Sequence, residues 1–174
     1  MNDDGYEDVI VGSYGYDVSD TTVLTNAGRA YVYHGSPTGL SATPAWIVEG
    51  DQVGGSLGQS VDTAGDVNGD GYDDIIVGAY AYDVITGTTV LTNAGRVYIY
   101  YGSAAGLSTT PDWTADGDQE GGMFGSSVAT AGNVNDDNYD DVIIGAYGYD
   151  HGHTNEGRVY VYHGSSSGPS ATAD

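Results

Sequence analysis

Apolar positions in this chain alternate with polar ones at a period of two, in short runs rich in Val, Ile and Tyr, and no segment sustains a 3.6-residue period. Glycine, Asp and Asn punctuate the runs, so the pattern predicts strands and turns throughout and no helix. Four strand types emerge. The first lies near 59–65 and 126–132, the second near 8–12, 74–78 and 141–145. The third lies near 29–34, 96–101 and 158–163, and the fourth near 45–49 and 112–115.

These strands belong to an internal repeat. The stretch from Asp70 to Asp83 reappears from Asp4 to Asp17 and from Asp137 to Asp150, so that Asp8, Asp74 and Asp141 stand 66 and 67 residues apart. Gly28-Arg29, Gly95-Arg96 and Gly157-Arg158 open the third strand, in which Tyr alternates with Val, Ile or Ala. Trp46 and Trp113 open the fourth strand, followed by Gly-Asp-Gln at 50–52 and 117–119. Four-strand units in series are what a β-propeller needs. The expected fold is therefore all-β: propeller blades of four antiparallel strands, with repeats at about 1–56, 57–123 and 124–174 in a single segment. The first copy lacks its first strand and the last its fourth, leaving ten strands. Three blades are too few to close a ring, so the chain reads as part of a longer protein or as a protomer whose self-association completes one.

Candidate chemistry sits between the first and second strands. Asp66-Val67-Asn68-Gly69-Asp70-Gly71-Tyr72-Asp73-Asp74 places side-chain oxygens at positions 1, 3, 5 and 9, glycine at 6 and the Tyr72 carbonyl at 7. Six to eight hard oxygens suit Ca2+ better than Mg2+, which demands tight octahedral geometry. An EF-hand would need a glutamate at position 12, where Val77 stands, and helices on both sides. In the third copy, Asn133, Asn135, Asp137, Tyr139 and Asp141 occupy the same positions, and Asn133 removes a charge, so weaker binding is expected there. Asn138 replaces the turn glycine with another residue that tolerates left-handed backbone. The first copy keeps a partial site, Asn2, Asp4, Tyr6 and Asp8.

Composition narrows the partners. The chain carries 25 acids against three arginines and no lysine, a net charge of −22, which excludes the basic face that nucleic acid or an anionic membrane would require. Most acids are loop aspartates, and self-repulsion of this size is relieved by bound cations. Cysteine is absent, so there is no disulfide framework and no thiolate metal site. No apolar run reaches membrane-spanning length, and Met1-Asn2-Asp3-Asp4 does not resemble a signal peptide, so an export signal is expected outside this segment.

Rival sites are weaker. Gly54-Gly55-Ser56-Leu57-Gly58 and Gly164-Ser165-Ser166-Ser167-Gly168 match a nucleophile-elbow pattern, yet no helix follows either and no equivalently placed histidine recurs, so no catalytic residue is assigned. Asp150-His151-Gly152-His153 reads as a solvated loop, and His34 and His163 as strand-end residues. The three arginines are expected to pair internally with carboxylates. The tyrosine pairs Tyr14/Tyr16, Tyr80/Tyr82 and Tyr147/Tyr149 serve either packing or sugar stacking.

Phe124-Gly125-Ser126-Ser127-Val128-Ala129, the Asp/Asn loop, Val-Ile-Ile-Gly-Ala and Gly-Arg-Val-Tyr-Val-Tyr together resemble the FG-GAP repeat of integrin α-subunit propellers and related bacterial proteins. Leu57 stands where that family often has Phe, and Tyr80 and Tyr147 where it usually has proline. The resemblance implies a calcium-stabilised, non-catalytic module of a secreted or surface protein, used for adhesion or protein recognition. Its alternatives are a carbohydrate-binding propeller and an accessory module of a larger extracellular enzyme. The ligand-contacting residues are not carried over by the resemblance.

Overall fold

The computed structural model describes residues 1–2, 4–19 and 22–174. Its strands are β1 (Val9–Ser13), β2 (Val18–Ser19), β3 (Val23–Leu24), β4 (Arg29–Tyr33), β5 (Trp46–Glu49), β6 (Ser60–Gly65) and β7 (Asp74–Ala79). There follow β8 (Val84–Thr86), β9 (Thr89–Leu91), β10 (Arg96–Tyr100), β11 (Trp113–Asp116), β12 (Phe124–Gly132), β13 (Asp141–Ala146) and β14 (Arg158–Tyr162). No helix occurs among the described residues, and all named strand pairs are antiparallel.

Three sheets form the blades. The middle one is complete, in the order β11-β10-β7-β6, while the first is β1-β4-β5 and the third β12-β13-β14. The ten strands read from the alternation are all present. The long connection between the second and third strands holds more order than a loop: β8 and β9 form a separate hairpin, as do β2 and β3. Val84 and Val18 anchor these hairpins by burial, while Ile85 and Val23 project outward. Asp20 and Thr21, within the first of these connections, and Asp3 lie outside the described residues.

Period-two alternation sends each strand's side chains to two neighbours. On β7, Ile75, Val77 and Ala79 pack toward the first blade with Tyr98, Tyr100, Ala30 and Val32, whereas Ile76 packs toward the third with Val97, Ile99, Val142 and Ile144. Every residue of β7 is therefore buried, which explains its unbroken apolar run. Trp46 meets Tyr100 edge-on at 4.9 Å, and Trp113 meets Tyr162 in the same way at 4.9 Å, so each fourth strand docks on the third strand of the following blade. Leu57 and Phe124 fill equivalent slots, which accounts for the tolerance of Leu at that position.

Backbone contacts close the seams. A Cβ on Gly12 would lie 1.9 Å from the Gly58 carbonyl oxygen, and one on Gly78 would lie 2.2 Å from that of Gly125. Only glycine lets adjacent blades approach so closely. Gln52 receives the Asp83 amide on its side-chain oxygen at 2.5 Å and donates to the Asp83 carbonyl at 3.1 Å. Gln119 makes the same pair of bonds with Asp150, at 2.6 and 3.0 Å. These latches went unassigned in the sequence, although the recurrence of Gln 67 positions apart in Gly-Asp-Gln was the available signal.

Candidate metal centre

The middle loop leaves β6 at Gly65 and enters β7 at Asp74, so its two ends are pinned by adjacent antiparallel strands. Within it Asp66, Asn68 and Asp70 each cap the backbone ahead. Asp66 Oδ1 accepts the amides of Gly69 at 2.7 Å and Asp70 at 3.0 Å, and its Oδ2 accepts that of Gly71 at 2.8 Å. Asn68 Oδ1 accepts the Asp70 amide at 2.9 Å, and Asp70 Oδ1 accepts the Tyr72 amide at 3.0 Å. Alternate side chains thus turn inward along one short coil. Gly69 and Gly71, at φ +77° and +90°, supply the left-handed backbone that this coil requires.

Asp74 closes the loop. Its carboxylate is fully buried, with Oδ2 accepting the Val67 amide at 3.0 Å and Oδ1 the Gly102 amide at 2.9 Å. Burial pushes its pKa up to about 7 against those two hydrogen bonds, with a smaller contribution from the neighbouring Asp70 and Asp66 charges. Among the described residues no cationic side chain pairs with it.

The third loop repeats the coil with weaker parts. Asn133 and Asn135 each accept the Asp137 amide, at 3.0 and 3.2 Å, and Asp137 accepts that of Tyr139 at 3.0 Å. Asp141 is buried and holds the amides of Val134 at 2.8 Å and Gly164 at 2.9 Å. Asp136 and Asn138 take the two left-handed positions at φ +62° and +75°. The left-handed Asn138 matches the reading of the sequence, whereas Asp136 was not singled out. His163, at the end of β14, lies 3.3 Å from Asp141 and 2.8 Å from Asp174, and these two acids, Asp174 first, raise its pKa.

In the first copy, Asp4 receives the Tyr6 amide at 3.0 Å and gives its own amide to Asn2 at 3.3 Å, while Asp8 takes the Gly35 amide at 3.0 Å. Position 4 of that loop is Asp3.

Does the donor set fit a hard cation? The middle loop offers three carboxylates, an amide oxygen and a backbone carbonyl, and one of the carboxylates is buried without a countercharge. That chemistry suits Ca2+. The carboxylates are nevertheless turned onto the loop's own amides. No three His, Asp or Glu side chains converge into a metal cluster among the described residues.

The other sequence candidates sort by position. Arg29 pairs with Glu49 and Arg96 with Asp116, but Arg158 finds no carboxylate among the described residues and lies over Tyr149 and Tyr160 instead. Internal pairing therefore holds for two arginines of three, because the described strands opposite β14 carry no acid in that register. The tyrosine pairs divide: Tyr16, Tyr82 and Tyr149 sit against the arginines, while Tyr14 and Tyr147 are exposed. Ser56 is buried, points back to the Gly54 carbonyl at 3.2 Å, and leads into β6 and not into a helix.

The sequence is similar to those of known proteins. The FG-GAP repeat model matches residues 57–100 and 124–162. Integrin alpha-IIb from Mus musculus is 36% identical over 152 residues, 85% of this chain and 14% of that protein. Integrin alpha-5 from Xenopus laevis is 32% identical over 168 residues, 94% and 15% respectively. A phosphatidylinositol-glycan-specific phospholipase D from Bos taurus is 33% identical over 96% of the chain and 20% of its own length. The chain thus spans about one seventh of the integrin sequences it matches. With its three-fold strand pattern, glycine seams and recurring Asp/Asn loops, the chain belongs to the FG-GAP repeat proteins.

Proposed function

We propose that this chain is a non-catalytic, calcium-binding propeller segment of an extracellular or cell-surface protein, serving adhesion or protein recognition. The observation that carries the reading is the buried Asp74 carboxylate, held at the end of an oxygen-lined loop and paired with no cationic side chain among the described residues. The residues that would hold Ca2+ are Asp66, Asn68, Asp70, the Tyr72 carbonyl and Asp74, with Asn133, Asn135, Asp137, Tyr139 and Asp141 forming a weaker second site. Asn2, Asp4, Tyr6 and Asp8 supply part of a third. A bound ion would neutralise the loop carboxylates and fix the turn between the first two strands of each blade. The likeness to integrin alpha subunits supports a protein ligand. Each blade is taken as one repeat, at about 1–56, 57–123 and 124–174. Further blades, from a second copy or from flanking sequence, would complete the ring, and native mass measurement separates the two.

Calcium calorimetry with thermal denaturation before and after chelation tests the proposal. Binding together with a fall in melting temperature on chelation is expected. Absence of both would overturn it.

A carbohydrate-binding reading draws on one observation. Tyr147 and the partly exposed Tyr80 line a cleft of about 340 Å³ with Gln59, Ser126 and Ser127, an aromatic surface edged by polar groups. A glycan array on calcium-loaded protein, with Tyr147→Ala as control, decides between sugar and protein ligands.

A further inference from the structure

The middle and third loops touch each other. Asp66, the first oxygen-bearing position of the middle loop, donates its amide to Asp140 Oδ2 at 2.9 Å, and its carbonyl accepts the Asp140 amide at 3.1 Å. Asp140 stands between Tyr139 and Asp141, two of the third loop's oxygen donors, yet occupies position 8, which contributes no oxygen to an ion in this loop scheme. One residue further on, Val67 gives its carbonyl to the Ser165 amide at 3.1 Å and its own amide to Asp74. Two glycines make room for the contact: a Cβ on Gly65 would lie 2.2 Å from Asp140 Oδ2, and one on Gly69 would lie 2.5 Å from the Tyr139 ring.

The middle blade faces the preceding one with the equivalent residue. Asp73 is the counterpart of Asp140, but its carboxylate accepts no hydrogen bond among the described residues. It borders a cleft of about 390 Å³ beside Asp8, Asp62 and Thr63.

We propose that Asp140 is a positioning residue that couples cation binding in the middle loop to cation binding in the third. An ion ordering Asp66 to Asp74 fixes the amide and carbonyl that grip Asp140. Gripping Asp140 in turn fixes the Tyr139 carbonyl and the Asp141 carboxylate on either side of it. Coupling of this kind is reciprocal, so each ion strengthens the other by one common factor. Loops read singly from the sequence would bind independently; the contact makes them a pair. The proposal rests on the calcium-binding reading given above.

Calcium calorimetry on the whole chain tests it. Asp70→Ala disables the middle loop and leaves the third to be measured, and Asp137→Ala does the reverse. The third-loop affinity is expected to fall roughly fivefold or more in Asp70→Ala, and the middle-loop affinity by the same factor in Asp137→Ala. Both differences should vanish in an Asp140→Ala background and persist in Asp140→Asn, whose side-chain oxygen still accepts the Asp66 amide. Circular dichroism reports whether each variant folds, and if Asp140→Ala does not, the reciprocity of the two loop variants decides alone. Equal third-loop affinity with and without Asp70 overturns the coupling while calcium binding stands. Failure of the unaltered chain to bind calcium overturns both.

Discussion

The middle and third blades share nearly the same strand sequences and differ in what covers them. In the middle blade β7 is buried from end to end, because the first blade covers Ile75 and Val77 and the third covers Ile76. In the third blade Val142 and Ile144 are buried against the middle one, whereas Ile143 and Val159 face outward, the latter 59% exposed. Burial here belongs to the seam between blades more than to the blade itself. Stability should then divide into nearest-neighbour terms, as in other repeat proteins.

The largest expected effect breaks a seam. Gly78→Ala would drive a methyl group to 2.2 Å from the Gly125 carbonyl, a backbone atom that cannot turn aside. Gly145, its counterpart in the third blade, meets only the Ser127 hydroxyl at 2.3 Å, which can change rotamer. Urea denaturation should show a loss of about 3 kcal/mol for Gly78→Ala and under about 1 kcal/mol for Gly145→Ala. Similar losses for both would mean that the blades, and not their seams, set stability.

The Asp/Asn loops carry the contrast into charge. Asn133 replaces the carboxylate that Asp66 supplies, so Asn133→Asp should tighten calcium binding by the third loop roughly tenfold, and Asp66→Asn should weaken the middle loop by a similar factor. Calorimetry on the two variants checks both directions.

Much of this was legible in the chain. The ten blade strands followed from alternation, and the loop positions from the spacing of Asp, Asn and Gly. What escaped was written in residues whose partners lie in another blade. Gln52 and Gln119 latch onto Asp83 and Asp150, 31 residues away in each case, and Asp140 reaches Asp66 across 74. Nothing local distinguishes such a Gln or Asp from a solvated one. The hairpins β2-β3 and β8-β9 escaped for a different reason: strands of two or three residues are too short to show a period.

Backbone strain separates the loops on a smaller scale. Asp136 adopts φ +62° where the middle loop has Gly69, so Asp136→Gly should stabilise the calcium-free protein by about 1 kcal/mol. The Gly69→Ala change should cost more than that, since the added methyl group also meets the Tyr139 ring. Thermal denaturation in chelator reads both. A loss of stability in Asp136→Gly would show that its side chain contributes more than its backbone costs.

The arginines give the smallest difference and the one most sensitive to salt. Arg96 donates to Asp116 Oδ2 at 2.8 Å and to the Tyr82 hydroxyl at 3.0 Å, with its guanidinium 4.2 Å from the Tyr82 ring centre. Arg158 keeps the aromatic part of that arrangement, 4.7 Å from the Tyr160 ring and bonded to the Tyr149 hydroxyl at 3.1 Å, without the carboxylate. The Arg96 pair is partly exposed, so Asp116→Asn should cost at most about 1 kcal/mol at low ionic strength. Most of that loss should disappear in 1 M salt, where screening acts over about 3 Å. Arg158→Gln removes only stacking and one hydrogen bond, and should cost about 0.5 kcal/mol whatever the salt. Urea denaturation at two salt concentrations compares them: equal salt dependence would mean that Arg158 meets a carboxylate in solution, and that the third blade is more nearly complete than its described strands show.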